Sequence, residues 1–285
     1  IRVNDFSMSE DQRYILDRIL DIIDREAPDG IIIAGDIYDK SMPPAEAVAM
    51  FDDFISSIAE RKIKTFIISG NHDSAERIAF GSRIMNAGGI YLSPVYNGDI
   101  KPVVMEDEYG SVNIYMLPFV RPSAVRAFYP DDDTDSYSSA VETAVKHMNA
   151  DFSQRNIIIT HQFVTGAVRS DSEDISVGGT DNVSADIFAD FDYTALGHIH
   201  KPQNIGSERI RYCGTPLKYS FSEAKQDKSV TVIELGKKGD VNVRTVKLIP
   251  LRDMTELKGS YEELMKNSKK TAGVAMLDID DFKLY

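Results

Sequence analysis

Ile31-Ile32-Ile33-Ala34-Gly35-Asp36-Ile37-Tyr38-Asp39 is the stretch on which the fold turns. A short apolar run rich in β-branched side chains is the pattern of a strand buried on both faces, and here it stops at a glycine followed by a carboxylate. Three other segments repeat the pattern. Phe66-Ile67-Ile68 leads to Gly70-Asn71-His72-Asp73, Ile157-Ile158-Ile159 to Thr160-His161-Gln162, and Tyr193-Thr194-Ala195-Leu196 to Gly197-His198-Ile199-His200. Open α/β sheets gather their ligands at strand C-termini, so these sequence-distant loops are expected to meet at one sheet edge.

Outward from this stretch, a helix is expected at about residues 8–26, with Ile15, Leu16, Ile19, Leu20, Ile22 and Ile23 as its apolar stripe, closed by Pro28-Asp29-Gly30. Pro43-Pro44 opens a second helix to about residue 60, a strand follows at 65–68, and a third helix is expected from Ser74 to about Asn86. Alternation of this kind predicts parallel strands with crossover helices. From Ile90 onward the strands shorten, near 102–105, 111–117, 209–213, 229–235 and 241–248, and are read as the antiparallel strands of a second sheet. The expected fold is α/β, with two packed β-sheets flanked by helices. Residues 1–249 form that domain in this reading. Residues 250–285, with a helix near 261–268 and a strand at 274–279, are read as the start of a small α+β capping domain cut short at Tyr285.

The residue types at the strand ends carry a chemistry. Asp, Asn and neutral His offer oxygen and imidazole donors without thiolate, a set that suits manganese, iron or zinc better than calcium. A carboxylate can bridge two ions about 3.5 to 4 Å apart, which together activate a hydroxide and neutralise charge on a phosphoryl group. Gly197-His198-Ile199-His200 places its two imidazoles on one side of an extended segment, because side chains alternate with period two. Singly, a Gly-Asp after an apolar run is commonly a turn, and a lone His beyond a buried strand a satisfied polar residue. Four such segments together point to a divalent-metal site for phosphate esters. His147, in the helical stretch 136–150, is read as a surface histidine, and Asp131-Asp132-Asp133-Thr134-Asp135 as a solvated lead-in to that helix. The unpatterned stretch from Gly166 to Asn182 is expected to face substrate.

The same four segments resemble the motif series of the calcineurin-like metallophosphoesterases. Glu10-Asp11-Gln12, Ser74 with Glu76-Arg77, Leu117-Pro118-Phe119-Val120-Arg121-Pro122, Val177-Gly178-Gly179-Thr180, and Gly214-Thr215-Pro216-Leu217 with Ser220-Phe221-Ser222-Glu223 are similar to the SbcD-type DNA nuclease family, in order and over nearly the whole chain. The resemblance implies two divalent ions: Asp36 bridges both, Asn71, His161 and His198 complete one, and His200 joins the other. It also implies that His72 orients the phosphate and protonates the leaving group, with Asp39 holding its imidazole. Manganese is the expected ion, with magnesium, iron and zinc as alternatives. The implied partners are DNA, an SbcC-like coiled-coil ATPase and a second copy of the chain, docked through the helices at 43–60 and 74–86. Met50, Phe51, Phe54, Ile78, Phe80 and Met85 on those helices are candidates for that homodimer surface, with core packing as the plainer alternative. The family's Asp-X-His motif does not occur ahead of Arg2. A short strand carrying it is expected before Ile1, since without it the second ion has only Asp36 and His200 from this chain.

At 285 residues and 42% hydrophobic content, the sequence can bury a large core, and Cys213 as its single cysteine excludes an intramolecular disulfide. It contains no apolar run of membrane-span length, so a cytoplasmic, nucleoid-associated protein is expected. The net charge of −13 argues against a nucleic-acid partner until its distribution is considered. Residues 1–60 carry 14 acidic and 5 basic side chains, whereas residues 201–247 carry 5 acidic and 10 basic. Lys201, Arg209, Arg211, Lys218, Lys225 and Lys228, with Arg77, are therefore candidate contacts to a DNA backbone, ordinary solvated strand edges being the alternative. As the resemblance implies, the expected function is metal-dependent hydrolysis of DNA phosphodiesters, exonucleolytic on duplex ends and endonucleolytic on single strands or hairpins, in repair and recombination. A phosphoesterase for a smaller substrate and a catalytically silent scaffold for an ATPase remain as alternatives.

Overall fold

The isoleucine run becomes a strand because its branched side chains pack on both faces of a sheet, and the elements around it follow the alternation of the sequence. A computed structural model describes residues 2–3, 6–173 and 181–254. A small antiparallel pair, β1 (Arg2–Val3) and β2 (Phe6–Ser7), precedes α1 (Ser9–Glu26), β3 (Gly30–Ala34), α2 (Ala45–Glu60) and β4 (Lys64–Ile68). Two short helices, α3 (Ala75–Ile78) and α4 (Ser82–Met85), lead to β5 (Ile90–Leu92). The continuous helix expected from Ser74 to Asn86 is thus broken. Gly81 sits at φ +75, outside the helical region, and ends one short helix before the next begins.

Next come β6 (Val103–Asp107), β7 (Gly110–Leu117), α5 (Pro122–Arg126), α6 (Tyr137–Lys146), β8 (Arg155–His161), β9 (Phe163–Val164), β10 (Asn182–Val183) and β11 (Tyr193–Gly197). The chain continues through β12 (Gln203–Ile205), β13 (Ser207–Tyr212), β14 (Ser229–Leu235) and β15 (Val241–Lys247). Strands β3, β4 and β5 form one all-parallel sheet, in which Ala34 pairs with Ile68. The second sheet has the order β12-β13-β11-β8-β7-β6. It is not the antiparallel sheet expected. Strands β7, β8, β11 and β13 run parallel, and only the edge strands β6 and β12 are antiparallel. The burial of β8 explains this: all seven of its residues are buried, as strands covered on both faces by other layers must be. Strand β5, not among the expected strands, joins the first sheet, and β14 and β15, expected in the second sheet, pair as a separate hairpin.

Between the sheets lies one shared core. Ala34, Phe66 and Ile68 pack against Ile114, Met116, Ile157, Ile159, Tyr193 and Ala195, with Ile233 and Val243 of the hairpin at its margin. Helices α1 and α2 cover the outside of the smaller sheet through Ile23, Phe54 and Ile58 against Ile31 and Ile33. On the far side of the larger sheet, Val125 of α5 and Val141 and Ala144 of α6 meet Leu117, Ile158 and Leu196. Two packed sheets flanked by helices are therefore the architecture. Ile58 is fully buried at this helix–sheet contact, so truncating it to Ala would cost about 2 to 5 kcal/mol.

Several surface expectations change. Met50, Phe54 and Ile78 are buried, Phe51 and Met85 are half-buried, and the most exposed large apolar side chains among the described residues are Phe80 (84% exposed), Ile84 (81%) and Met42 (73%). His147 is not a free surface histidine: its Nε2 lies 2.6 Å from Asp132 Oδ2 and its ring stacks on Tyr129, which ties the acidic loop to the end of α6. The capping-domain elements at 255–285 and the motif Val177–Thr180 lie outside the described residues. No helix among the described residues is long and apolar enough to cross a membrane.

Candidate metal centre

Parallel registry brings the strand ends into line: Ala34 pairs with Ile68 on one sheet, and Gly197 with His161 on the other. The loops after them must then pass close together, and glycine makes this possible. A Cβ on Gly35 would lie 2.5 Å from His161 Nδ1, one on Gly197 2.7 Å from the same atom, and one on Gly70 would overlap the Asp36 carboxylate. The turn beyond β3 puts Asp36 at φ +50, and His198 beyond β11 adopts φ +98. Both are conformations that side-chain-bearing residues rarely keep without support. For Asp36 the support is Asp73, whose carboxylate accepts the amides of Ile37 at 3.1 Å, Tyr38 at 3.0 Å and Gly70 at 2.9 Å. The His72 amide, 3.0 Å from Asp36 Oδ1, fixes the carboxylate itself.

His161 joins the two sheets. It is 1% exposed, and its Nδ1 lies 2.7 Å from the Ala34 carbonyl oxygen, which can only accept, so Nδ1 carries a proton. Its Nε2 faces two more oxygens, Asn71 Oδ1 at 3.0 Å and Asp36 Oδ2 at 3.1 Å. Asn71 Oδ1 is also 2.9 Å from His198 Nδ1. Lone pairs of nitrogen and oxygen thus converge on one point, an arrangement that a cation relieves, whether a second proton or a metal ion. Burial opposes charge on His161, but the Asp36 carboxylate beside it drives its pKa above the ordinary imidazole value. Burial likewise disfavours the Asp36 anion, yet the adjoining His161 outweighs it and holds the carboxyl well below its usual range. Burial and the charge of His161 pull His198 down to about 3, leaving it a neutral imidazole with a lone pair to offer. Donor atoms of Asp36, His161 and His198 all lie within 4.8 Å of one another. One carboxylate, one amide oxygen and two imidazoles fit a divalent transition-metal ion.

A calcineurin-like phosphoesterase profile matches residues 3–202, a span that contains all four strand-end segments. The chain belongs to the calcineurin-like phosphoesterase family. It is 34% identical over 268 residues to the SbcD subunit of nuclease SbcCD from Staphylococcus saprophyticus, covering 93% of this chain and 70% of that one. Against the SbcD subunit of nuclease SbcCD from Staphylococcus epidermidis it is again 34% identical, over 272 residues covering 94% of this chain and 72% of the other. Enzymes of this family act on phosphoester bonds with divalent metal ions, in keeping with the donor set around Asp36.

The other expected residues are placed less uniformly. His72 stands beside the cluster with Nε2 4.0 Å from Asp36 Oδ2, but Asp39 does not hold its ring through the carboxylate. The contact is from His72 Nδ1 to the Asp39 backbone carbonyl at 3.2 Å. His200 lies outside the group of donors within 4.8 Å, and its Nδ1 turns instead to Ser172 Oγ at 2.7 Å. Lys228 cannot meet a DNA backbone. It is 4% exposed, and its ammonium is used up on Glu223, Gln226, Thr215 and the His200 carbonyl. Lys218 is tied to Asp253 and the Ala224 carbonyl, Arg209 to the Gly239 carbonyl, and Arg211 to Asn204 and Thr231. Arg77 and Lys225 are exposed, and Lys201 is half-buried. The clamp made by Asp73 was visible as a motif residue, but its role depends on a backbone turn that sequence spacing does not encode.

Proposed function

We propose that this family member is a metal-dependent DNA nuclease and the nuclease subunit of a complex with an SbcC-like coiled-coil ATPase, active in repair and recombination. The convergence of Asp36, Asn71, His161 and His198 carries the proposal, with the staphylococcal relatives named as SbcCD nuclease subunits supporting the choice of DNA. In this reading Asp36, Asn71, His161, His198 and His200 would hold two divalent ions, manganese by preference. Divalent ions bound there supply Lewis acidity toward the phosphoryl group and charge to offset the developing anion. The protein's own contribution is orientation and proton transfer: Asp73 and the His72 amide hold Asp36, the Ala34 carbonyl holds His161, and the His72 imidazole protonates the leaving oxygen. Duplex ends are cleaved exonucleolytically, and single strands or hairpins endonucleolytically. Arg77, Lys201 and Lys225 guide the backbone, and the exposed apolar side chains of the helical region, Phe80 and Ile84, take part in pairing two copies. Residues from 250 onward begin a capping domain. The protein acts in the cytoplasm at the nucleoid.

The deciding experiment is cleavage of an end-labelled linear duplex and of a simple aryl phosphodiester, each with Mn2+ and with EDTA. Metal-dependent loss of the duplex supports the nuclease reading. Turnover of the aryl diester alone would move the assignment to a smaller substrate, and inactivity on both to a scaffold.

A further inference from the structure

His200 sits at the centre of a second buried polar network, separate from the group around Asp36. Its backbone N–H donates to Glu173 Oε1 at 2.6 Å, and its carbonyl accepts from the Thr215 amide at 3.1 Å and from Lys228 Nζ at 2.8 Å. Its ring Nδ1 lies 2.7 Å from Ser172 Oγ and 3.4 Å from Glu223 Oε1. Ser172 Oγ is in turn 2.6 Å from Glu223 Oε1. Glu223 is fully buried, and Lys228 meets its other oxygen at 2.5 Å. The Tyr219 ring stands edge-on to the imidazole at a centroid distance of 6.1 Å.

Counting protons settles which imidazole nitrogen is bare. An ionised carboxylate only accepts, and two oxygens 2.6 Å apart need a proton between them, so Ser172 donates its single hydroxyl proton to Glu223. Ser172 Oγ then has only lone pairs left for His200, and the proton in the 2.7 Å contact belongs to Nδ1. A neutral imidazole has one N–H, which leaves Nε2 with a lone pair. Among the described residues, Nε2 is also the one polar atom of His200 without a partner.

We infer that Glu223 is a positioning residue: acting through Ser172, it fixes the His200 proton on Nδ1 and presents the Nε2 lone pair as a metal-ligating atom. The inference rests on the metal reading of the site. Lys228 completes the device by neutralising Glu223 and gripping the His200 carbonyl, which accounts for a buried lysine in a segment otherwise rich in surface cations. A carboxylate that orients a histidine from behind sharpens both the direction and the basicity of the ligand, and removing such a group lowers metal affinity about 10- to 100-fold.

The test uses protein labelled with 15N-histidine and long-range proton–nitrogen NMR in metal-free buffer, with the His200 signals identified by their loss in His200→Gln. The wild type is expected to show the Nδ1–H tautomer. Glu223→Gln is expected to show a mixture with Nε2–H, and a weaker site for Mn2+, by about 10- to 100-fold, in titration calorimetry with Mn2+ alone. If the single variant fails to fold, Glu223→Gln with Lys228→Met removes both buried charges at once and is read in the same way. An Nε2–H tautomer in the wild type, or an unchanged tautomer and Mn2+ affinity in the variant, would overturn the inference. A wild type that takes up no Mn2+ while keeping the Nδ1–H tautomer would overturn the metal reading, and the ligand role of Nε2 with it.

Discussion

Asp73 Oδ1 accepts the amide hydrogen of Tyr38 at 3.0 Å across 35 positions of sequence. With the Ile37 and Gly70 amides on its other oxygen, the carboxylate clamps the turn that holds Asp36 at a positive φ. Asp73→Ala should strand these donors and destabilise the protein by about 3 kcal/mol in urea unfolding, with loss of Mn2+ uptake. Asp73→Asn, which keeps one acceptor oxygen, should fall between the two. Wild-type Mn2+ affinity in Asp73→Ala would show that the turn holds itself.

His161 is buried, not a solvent-facing ligand, so its removal has two consequences. His161→Ala should abolish most phosphodiester cleavage and release at least one metal equivalent. It should also cost about 2 kcal/mol of stability, because the Ala34 carbonyl loses its donor and a cavity opens. Metal content by mass spectrometry and unfolding in metal-free buffer separate these effects, and full activity in the variant would remove His161 from the site.

His72 and Asp39 should behave differently from each other. His72→Ala should lower turnover by roughly 10²- to 10⁴-fold with metal content retained, if the ring delivers the proton. Asp39→Asn should stay within about twofold of wild type, because the backbone carbonyl that meets His72 Nδ1 survives the substitution. A large loss in Asp39→Asn would restore a role for its carboxylate.

For DNA binding, the exposed cations are the ones to reverse. Arg77→Glu and Lys225→Glu should weaken binding alike for all sequences and flatten the salt dependence by up to about 0.9 per lost phosphate contact. Lys228→Ala should instead destabilise the fold by about 3 kcal/mol, since it leaves Glu223 buried without its counter-charge, while the salt slope stays as in the wild type. A reduced salt slope in Lys228→Ala would contradict its burial.

The same carboxylate sets a pH dependence. Burial works against the Glu223 anion, but His200, Lys228 and Ser172 outweigh it and bring its pKa from 4.5 to about 2. A depressed carboxyl contributes stability that is fully present above 4.5 and is lost as pH falls toward about 2. The stability gap between wild type and Glu223→Gln should therefore narrow by up to about 3 kcal/mol across that window in urea unfolding. A gap independent of pH would mean that the carboxyl titrates normally.

The strand-end segments were legible because buried strands announce themselves as apolar runs, and Asp36, Asn71, His161 and His198 are brought together as their positions suggested. Strand direction was not legible. Nothing local in 111–117 or 209–213 distinguishes a parallel from an antiparallel neighbour; the choice is made by the layers that cover β8 on both faces. Lys228 resembled any other lysine in a basic segment, and its burial follows from Glu223 and Glu173, both of which join it only in the fold. The resemblance implied that Asp39 holds the His72 ring, whereas its contact with His72 is made by an atom that every residue possesses.

The hydrogen bond from the His161 ring to the Ala34 carbonyl crosses from the later half of the chain to the earlier one. Asp36 and Asn71 come from one side of that seam, His161 and His198 from the other, so an ion held by all of them works as a rivet. It cannot be gripped until both halves have docked, and once gripped it resists their separation. Each tenfold rise in free metal above its dissociation constant then adds about 1.4 kcal/mol to the resistance to unfolding. With such an ion in place, chelation would remove the fastener, and the melting point would serve as a gauge of how much metal is bound.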